Sequence, residues 1–343
     1  MRTVLDEGLG RDRIGNYRIE HELGPTGSGI LFQVRHQVLP RRAIVKVVHA
    51  AFASGTYAVQ TLREACILEA VGHPGVPIVY ESGLLPDRRP WFAFEVITGP
   101  TLEEVFAPGP VAIGKLVRTI RDVAEILEHA HARGVIHRGL RPERVIVTRR
   151  RRFPLCIPDW SEAIAHDASE SSPPPDGTWG YVAPELRHQD SGWAERVDDR
   201  ADVFALGAIA YRGLTGMPPF DADCDAPYIP ARELCRAAPG RLAMLVDSLL
   251  SFDRFDRPSA REVRSDLDAL LSGHPELQQH AALGEPAIDE PSAVAPDPAD
   301  PTPHVVVLDR ARRRRPRWTP SVHRVHYPDT TDDAFTDEDR TRR

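Results

Sequence analysis

Residues 17–48 alternate apolar and polar positions with glycine-rich punctuation at 24–29, a period of two that predicts a β-hairpin followed by a third strand. The period then changes. Val59, Leu62, Ile67, Leu68 and Val71 recur at helical spacing within residues 55–73, and Gly72 and Pro74 end that run. "PIVYESGLL" (77–85) and "PWFAFEVI" (90–97) predict two more strands. From 113 to 132, apolar residues at Ile113, Leu116, Val117, Ile120, Val123, Ala124, Leu127 and Ala130 describe an amphipathic helix closed by Gly134. "ADVFALGAIAYRGLTG" (201–216) is apolar on nearly every side, which predicts a helix buried all round. "RLAMLVDSLL" (241–250) and "SAREVRSDLDALL" (259–271) predict further amphipathic helices. Strands come first and helices follow, the order of an α+β architecture with a small β-rich lobe joined to a larger helical one.

The periodicity dissolves after about residue 271. "GEPAIDEPSAVAPDPADPTPH" (284–304) is rich in Pro, Asp and Ala and is expected to be disordered. Beyond it, six arginines fall between Arg310 and Arg317, a candidate contact for an acidic or nucleic-acid partner, with an acidic end close behind. "HVVVLD" (304–309) has the composition of a strand that adds to a sheet edge. Across all 343 residues the formal charge is −7, which gives no global attraction to nucleic acid or to an anionic membrane. The N-terminus has no apolar signal core, and the most apolar stretch, 203–211, is too short to span a bilayer. Cys66, Cys156, Cys224 and Cys235 show no zinc-type spacing, so a cytoplasmic location without a membrane contact is the expectation. Of 43 basic residues only Lys46 and Lys115 are lysine, so a retained lysine points to a position that needs a compact ammonium.

Several short motifs follow one another in a specific order. They are the glycine loop "LGPTGSGILF" (23–32), the strand lysine of "IVKVV" (Lys46), a helix glutamate (Glu64) and "VIHRGLRPERVIV" (135–147). After these come "PDWSEA" (158–163), "GTWGYVAPE" (177–185), "DDRADVFALG" (198–207) and "DRFDRPS" (253–259). The series resembles a eukaryotic-type serine/threonine protein kinase domain of the sort found in bacteria, over roughly residues 17–272. The resemblance implies a bilobal kinase-like fold. An N-terminal extension (1–16) would precede an N-lobe (17–97), a helical C-lobe (98–272) and a Pro-rich tail (273–343).

It also implies a nucleotide site for ATP. Gly24, Gly27 and Gly29 would cover the phosphates, although Thr26 stands where the middle glycine is usual and Pro25 removes an N–H. Lys46 would bind the α- and β-phosphates and pair with Glu64. Phe94 would stand as gatekeeper before a hinge of Glu95, Val96 and Ile97, and Ile44 would narrow the adenine pocket. Asp159 would hold magnesium, one ion at most. Glu185 would pair with Arg257, and Asp202 would bind the backbone of the His137–Arg138 loop. Ser169, Ser171, Ser172 and Thr178 are candidate phosphate acceptors in the segment between.

The departures lie in the catalytic loop. His137 and Arg138 match, but Gly139 replaces the aspartate that accepts the substrate proton. Arg141 replaces a lysine, and Arg144 replaces the asparagine that holds a second magnesium. Glycine accepts no proton, and losing a general base costs about 10²–10⁴ in rate. Arginine has no acceptor atom and ligates no cation. Trp160 and Ser161 replace a phenylalanine and a flexible glycine. Three readings stay open: a pseudokinase that binds ATP and serves protein partners, a slow kinase using another acid such as Glu143, Asp159 or Glu162, and a scaffold that binds no nucleotide. The sequence leaves open whether Arg144 points into the cleft.

Overall fold

A computed structural model of the chain describes residues 12–26, 29–49, 56–148, 151–165, 179–187, 197–220 and 227–278. Gly27, the four candidate phosphate acceptors, the Pro-rich stretch, the strand expected at 304–309 and the arginine cluster lie outside these residues.

The N-terminal half forms a six-stranded antiparallel sheet. Its strands are β1 (Arg13–Ile14), β2 (Tyr17–Pro25), β3 (Gly29–His36), β4 (Arg42–Val48), β5 (Val79–Leu84) and β6 (Pro90–Phe94), in the order β1-β2-β3-β4-β6-β5. The predicted hairpin and third strand are β2, β3 and β4. The sheet starts earlier than residue 17, because Arg13 and Ile14 pair with Arg18 and Tyr17 and Ile14 is fully buried. A two-residue strand carries no period to read. The register of β4 sets Lys46 opposite Leu31 on one side and Phe92 on the other.

Helix α1 (Thr56–Val71) lies against β4, β5 and β6. Its inner face corrects the sequence reading. Val59 and Leu62, expected in the apolar stripe, are 57% and 40% exposed, whereas Thr61, Glu64, Ala65, Leu68 and Val71 point inward. The helix is rotated so that a charged residue faces the core, which apolar spacing alone does not anticipate.

The helical half contains α2 (Leu102–Phe106), α3 (Ile113–His131), α4 (Pro184–Arg187), α5 (Arg200–Thr215), α6 (Ala231–Leu234), α7 (Gly240–Leu249), α8 (Ala260–Gly273) and α9 (Pro275–Gln278). Helix α5 is buried on almost every side, as its composition predicts, and ends at Gly216 with φ 82° in the left-handed region. Capping boxes open α2 (Thr101 with Glu104) and α8 (Ser259 with Glu262). Short strands β7 (Val135–Ile136) and β10 (Ile164–Ala165) pair with each other, as do β8 (Ile146–Val147) and β9 (Leu155–Cys156). These two ladders frame the His137 loop and the Asp159 segment. Ordered structure runs past 272: Leu277 is buried, and Arg118 of α3 donates to the carbonyls of Leu277 and Gln278. No described helix is long and apolar enough to cross a membrane.

Candidate functional site

On β4, Lys46 reaches inward to α1, and its Nζ lies 2.6 Å from Glu64 Oε2, with both side chains about 5% exposed. Burial pushes the Glu64 carboxyl up, Lys46 pulls it back and nearby Asp159 adds to the rise. Removing one partner of such a pair leaves an uncompensated buried charge, at about 3–5 kcal/mol.

The loop after β7 is held from beneath by Asp202 of α5, which is fully buried. Asp202 accepts the His137 N–H at 2.8 Å and the Arg138 N–H at 2.7 Å, and His131 Nε2 lies 2.8 Å from it. Burial alone would raise its carboxyl, but these partners hold it below the usual carboxylate range. The grip is needed because Arg138 adopts φ 61°, a left-handed conformation unfavourable for a residue with a side chain. Arg138 Nε donates to the Glu162 carbonyl at 2.8 Å. The His137 ring packs 4.6 Å from the Trp160 ring, and Trp160, fully buried, donates its indole N–H to Ile157 O. The larger indole is thus locked in place.

The departures converge on one point. Arg144, only 1% exposed, turns its guanidinium back across the loop. Its Nη1 donates to Gly139 O at 3.0 Å, its Nε lies 3.1 Å from Asp159 Oδ2, and its Nη2 donates to Glu162 Oε1 at 2.5 Å. A Cβ added to Gly139 would stand 2.1 Å from Arg144 Nη1 and 2.6 Å from Glu162 Oε2. The room beside position 139 is therefore filled by Arg144 and Glu162, and a side chain there would require the end of one of them to move. Burial would raise the Asp159 carboxyl, yet Arg144 and Lys46 hold it far below its ordinary value. Burial disfavours the Arg144 charge, and Asp159 and Glu162 more than restore it. Burial and the adjacent Arg144 push Arg141 down to about 10.

Asp159 was expected to hold magnesium. Its Oδ2 faces the guanidinium and its Oδ1 accepts the Ser161 N–H at 3.1 Å. Magnesium requires several oxygen ligands in near-octahedral array. With Arg144 in this position the residues present do not fit that ion, and the described residues contain no cluster of three or more metal-ligating side chains.

The glycine loop is also modified. Thr26 N donates to Gly29 O at 2.6 Å, and Thr26 Oγ1 accepts the Gly29 N–H at 3.1 Å. The hairpin thus consumes an N–H of the glycine loop. A Cβ at Gly29 would meet Val47 O at 2.2 Å, which explains that glycine by close strand approach. Gly24 has φ 125°, accessible to glycine. At the hinge, Glu95 turns its carboxylate away to an ion pair with Arg151, whose Nη2 also donates to Pro74 O and Val76 O. The Glu95 backbone N–H is donated to Ile78 O, so only the Glu95 carbonyl is left for the cleft. Ile97 joins Ile146 and Cys156 in a small buried apolar cluster. Phe94 and Ile44 are buried in the main core.

On the far side of the loop, Arg257 holds Glu185 through two bonds of 2.7 and 2.9 Å, and donates to the carbonyls of Ser251, Phe252 and Arg200. Sequence reasoning identified this pair, Lys46–Glu64 and Asp202. It missed the Arg151 clamp, and it named Glu162 only as one of three possible substitute acids, not as the partner of Arg144.

A protein kinase domain model matches residues 17–267. Pkn1 of Myxococcus xanthus, named as a serine/threonine-protein kinase, is 32% identical over 228 residues, covering 65% of this chain and 32% of that protein. The serine/threonine-protein kinase pkn3 of the same organism is 29% identical over 79% of this chain and 53% of its own length. The chain thus spans about half or less of these relatives. The crystal structure of the Mycobacterium tuberculosis PknI kinase domain superposes with a TM-score of 0.57 at 26% identity, covering 75% of this chain and 97% of that one. Fold, motif order and relatives agree: the chain belongs to the protein kinase domain family, beside the serine/threonine kinases of bacteria.

Proposed function

We propose that this chain is a pseudokinase module that binds ATP between its lobes and signals to protein partners with little phosphotransfer. The observation that carries this reading is the Arg144–Glu162 pair filling the space beside Gly139. The family's proton acceptor is absent, and the nearest carboxylate is tied to a guanidinium at 2.5 Å. Glu162 Oε1 is already engaged as the acceptor of that bond, which withdraws it from accepting a substrate proton. Binding is supported by the assembled Lys46–Glu64 pair. The intact Asp202 and Glu185–Arg257 networks support a scaffold that presents a stable surface to partners.

One observation favours a second reading. Glu162 Oε2 lies 2.6 Å from where a Cβ at position 139 would stand, so its carboxylate occupies the room of the missing side chain. If Arg144 released it, Glu162 would serve a slow kinase as substitute acid–base group.

Two experiments test the proposal. ATP at about 100 times its Kd adds about 2.7 kcal/mol to the folded state, which corresponds to about 5–11 °C in Tm for a domain near this size. A shift that Lys46→Met abolishes is expected; no shift at millimolar ATP supports the scaffold that binds no nucleotide. Transfer of labelled phosphate to the chain itself or to a basic protein is expected to be no greater for wild type than for Lys46→Met. Transfer lost in both Lys46→Met and Glu162→Gln would establish the second reading instead.

A further inference from the structure

The oxygens around Arg144 form the kind of cage that a metal ion would select. Asp159 Oδ2, Glu162 Oε1 and Gly139 O approach its guanidinium from three directions, at 3.1, 2.5 and 3.0 Å. The cation at the centre belongs to the chain. Without it, two carboxylates would face each other at a buried point, and like charges so placed are costly. With it, the cleft is balanced: Lys46, Arg141 and Arg144 stand against Glu64, Asp159 and Glu162. An incoming divalent ion would have to displace a guanidinium that is 1% exposed, hydrogen-bonded through Nη1 and Nη2 and 3.1 Å from Asp159 at Nε, and would then compete with its charge.

We propose that Arg144 is a resident cation that closes the metal position, so that nucleotide binding in this cleft is independent of divalent ions. This rests on the reading of the cleft as an ATP site, and it assigns Gly139, Arg144 and Glu162 a joint role. Gly139 provides the space, Glu162 anchors the guanidinium, and Arg144 supplies the charge that magnesium supplies elsewhere in the family. The phosphates then meet a site already neutralised, with Lys46 as the ammonium nearest the cleft.

The test is ATP titration of the whole chain by equilibrium dialysis, in EDTA and in millimolar magnesium, for wild type and Arg144→Asn. Wild-type affinity is expected to agree within about threefold between the two conditions, while Arg144→Asn, which opens the position and adds an oxygen ligand, becomes at least about tenfold tighter with magnesium. Because the single variant removes the Arg144 cation from beside Glu162, Arg144→Asn with Glu162→Gln is measured alongside and replaces it if it does not fold. Magnesium tightening wild-type binding about tenfold or more overturns the resident-cation proposal while leaving ATP binding intact. Variants that remain indifferent to magnesium overturn it as well. If wild type binds no ATP in either condition but a variant binds only with magnesium, the guanidinium is shown to be the block, and the ATP-sensing function fails instead.

Discussion

Two buried ionic networks flank the His137 loop, and they have diverged. Beneath it, Asp202 takes the His137 and Arg138 N–H groups, and Arg257 grips Glu185 with both arms. Beside it, the positions that in the family carry a base and a metal ligand hold a glycine and an arginine, and Arg144 draws Asp159 and Glu162 into a closed cluster. Both networks tie buried charges to partners within the chain, so their physics is alike. They differ in what that pairing leaves over. The lower network needs nothing from outside to hold the loop in its strained conformation. The upper one, in its usual form, is completed by magnesium and substrate, whereas here it is completed by the chain itself. The proposed lack of phosphotransfer follows from that pairing, because the acids beside Gly139 already hold a cation of the chain.

The largest expected effect breaks the lower network. Arg257→Ala leaves Glu185 without its cation and three carbonyls without a donor, and should cost about 3–5 kcal/mol in urea unfolding. Asp202→Ala should cost as much, and hydrogen exchange at the His137 and Arg138 amides should speed up most. In the upper network, Arg144→Gln should destabilise by about 3 kcal/mol, because it leaves two acidic groups facing each other. Adding Glu162→Gln should recover about 1–2 kcal/mol, a coupling that a double-mutant cycle reads directly. Gly139→Asp alone should cost about 1–3 kcal/mol through overpacking against Arg144 and Glu162. Combined with Arg144→Asn it should cost less than the two changes summed.

The pH dependence sharpens the contrast. Asp159 has its folded pKa held below the unfolded value, so the ionised form favours the native state. That stabilisation is present above about pH 4 and is lost as the pH falls through the lower folded value. Arg144→Gln removes the main cause of the depression. The Tm difference between wild type and variant should therefore be widest above about pH 4 and narrow on acidification. The smallest effect is at the glycine loop. Thr26→Gly frees the Gly29 N–H from Thr26 Oγ1, should cost about 1 kcal/mol or less, and should tighten ATP binding.

Much of the lower network was legible in the sequence, because its residues sit in motifs whose order along the chain matches their arrangement in space. Asp202 opens a helix of unmistakable composition, and Glu185 and Arg257 stand in two short, distinctive strings. The upper network was legible only as a set of departures. Sequence order showed that Gly139 lacks a carboxylate and that Arg144 ligates no metal, but not that Arg144 folds back over Gly139. That direction is set by the buried turn at Pro142 and by the pull of two acids on a separate segment. Helix α1 shows the same limit. Its apolar spacing picked Val59 and Leu62, whereas the ammonium of Lys46, on another strand, decides that Glu64 turns inward. Periodicity records which residues share a face, and the partner across the interface decides which face is buried.

The central claim is that a guanidinium occupies the metal position beside Asp159. Anomalous scattering from crystals grown with ATP and manganese tests it most directly. The account predicts no manganese peak at Asp159 and the Arg144 side chain still bonded to Asp159 and Glu162. A manganese peak ligated by Asp159, with Arg144 swung out of the cluster, would contradict it.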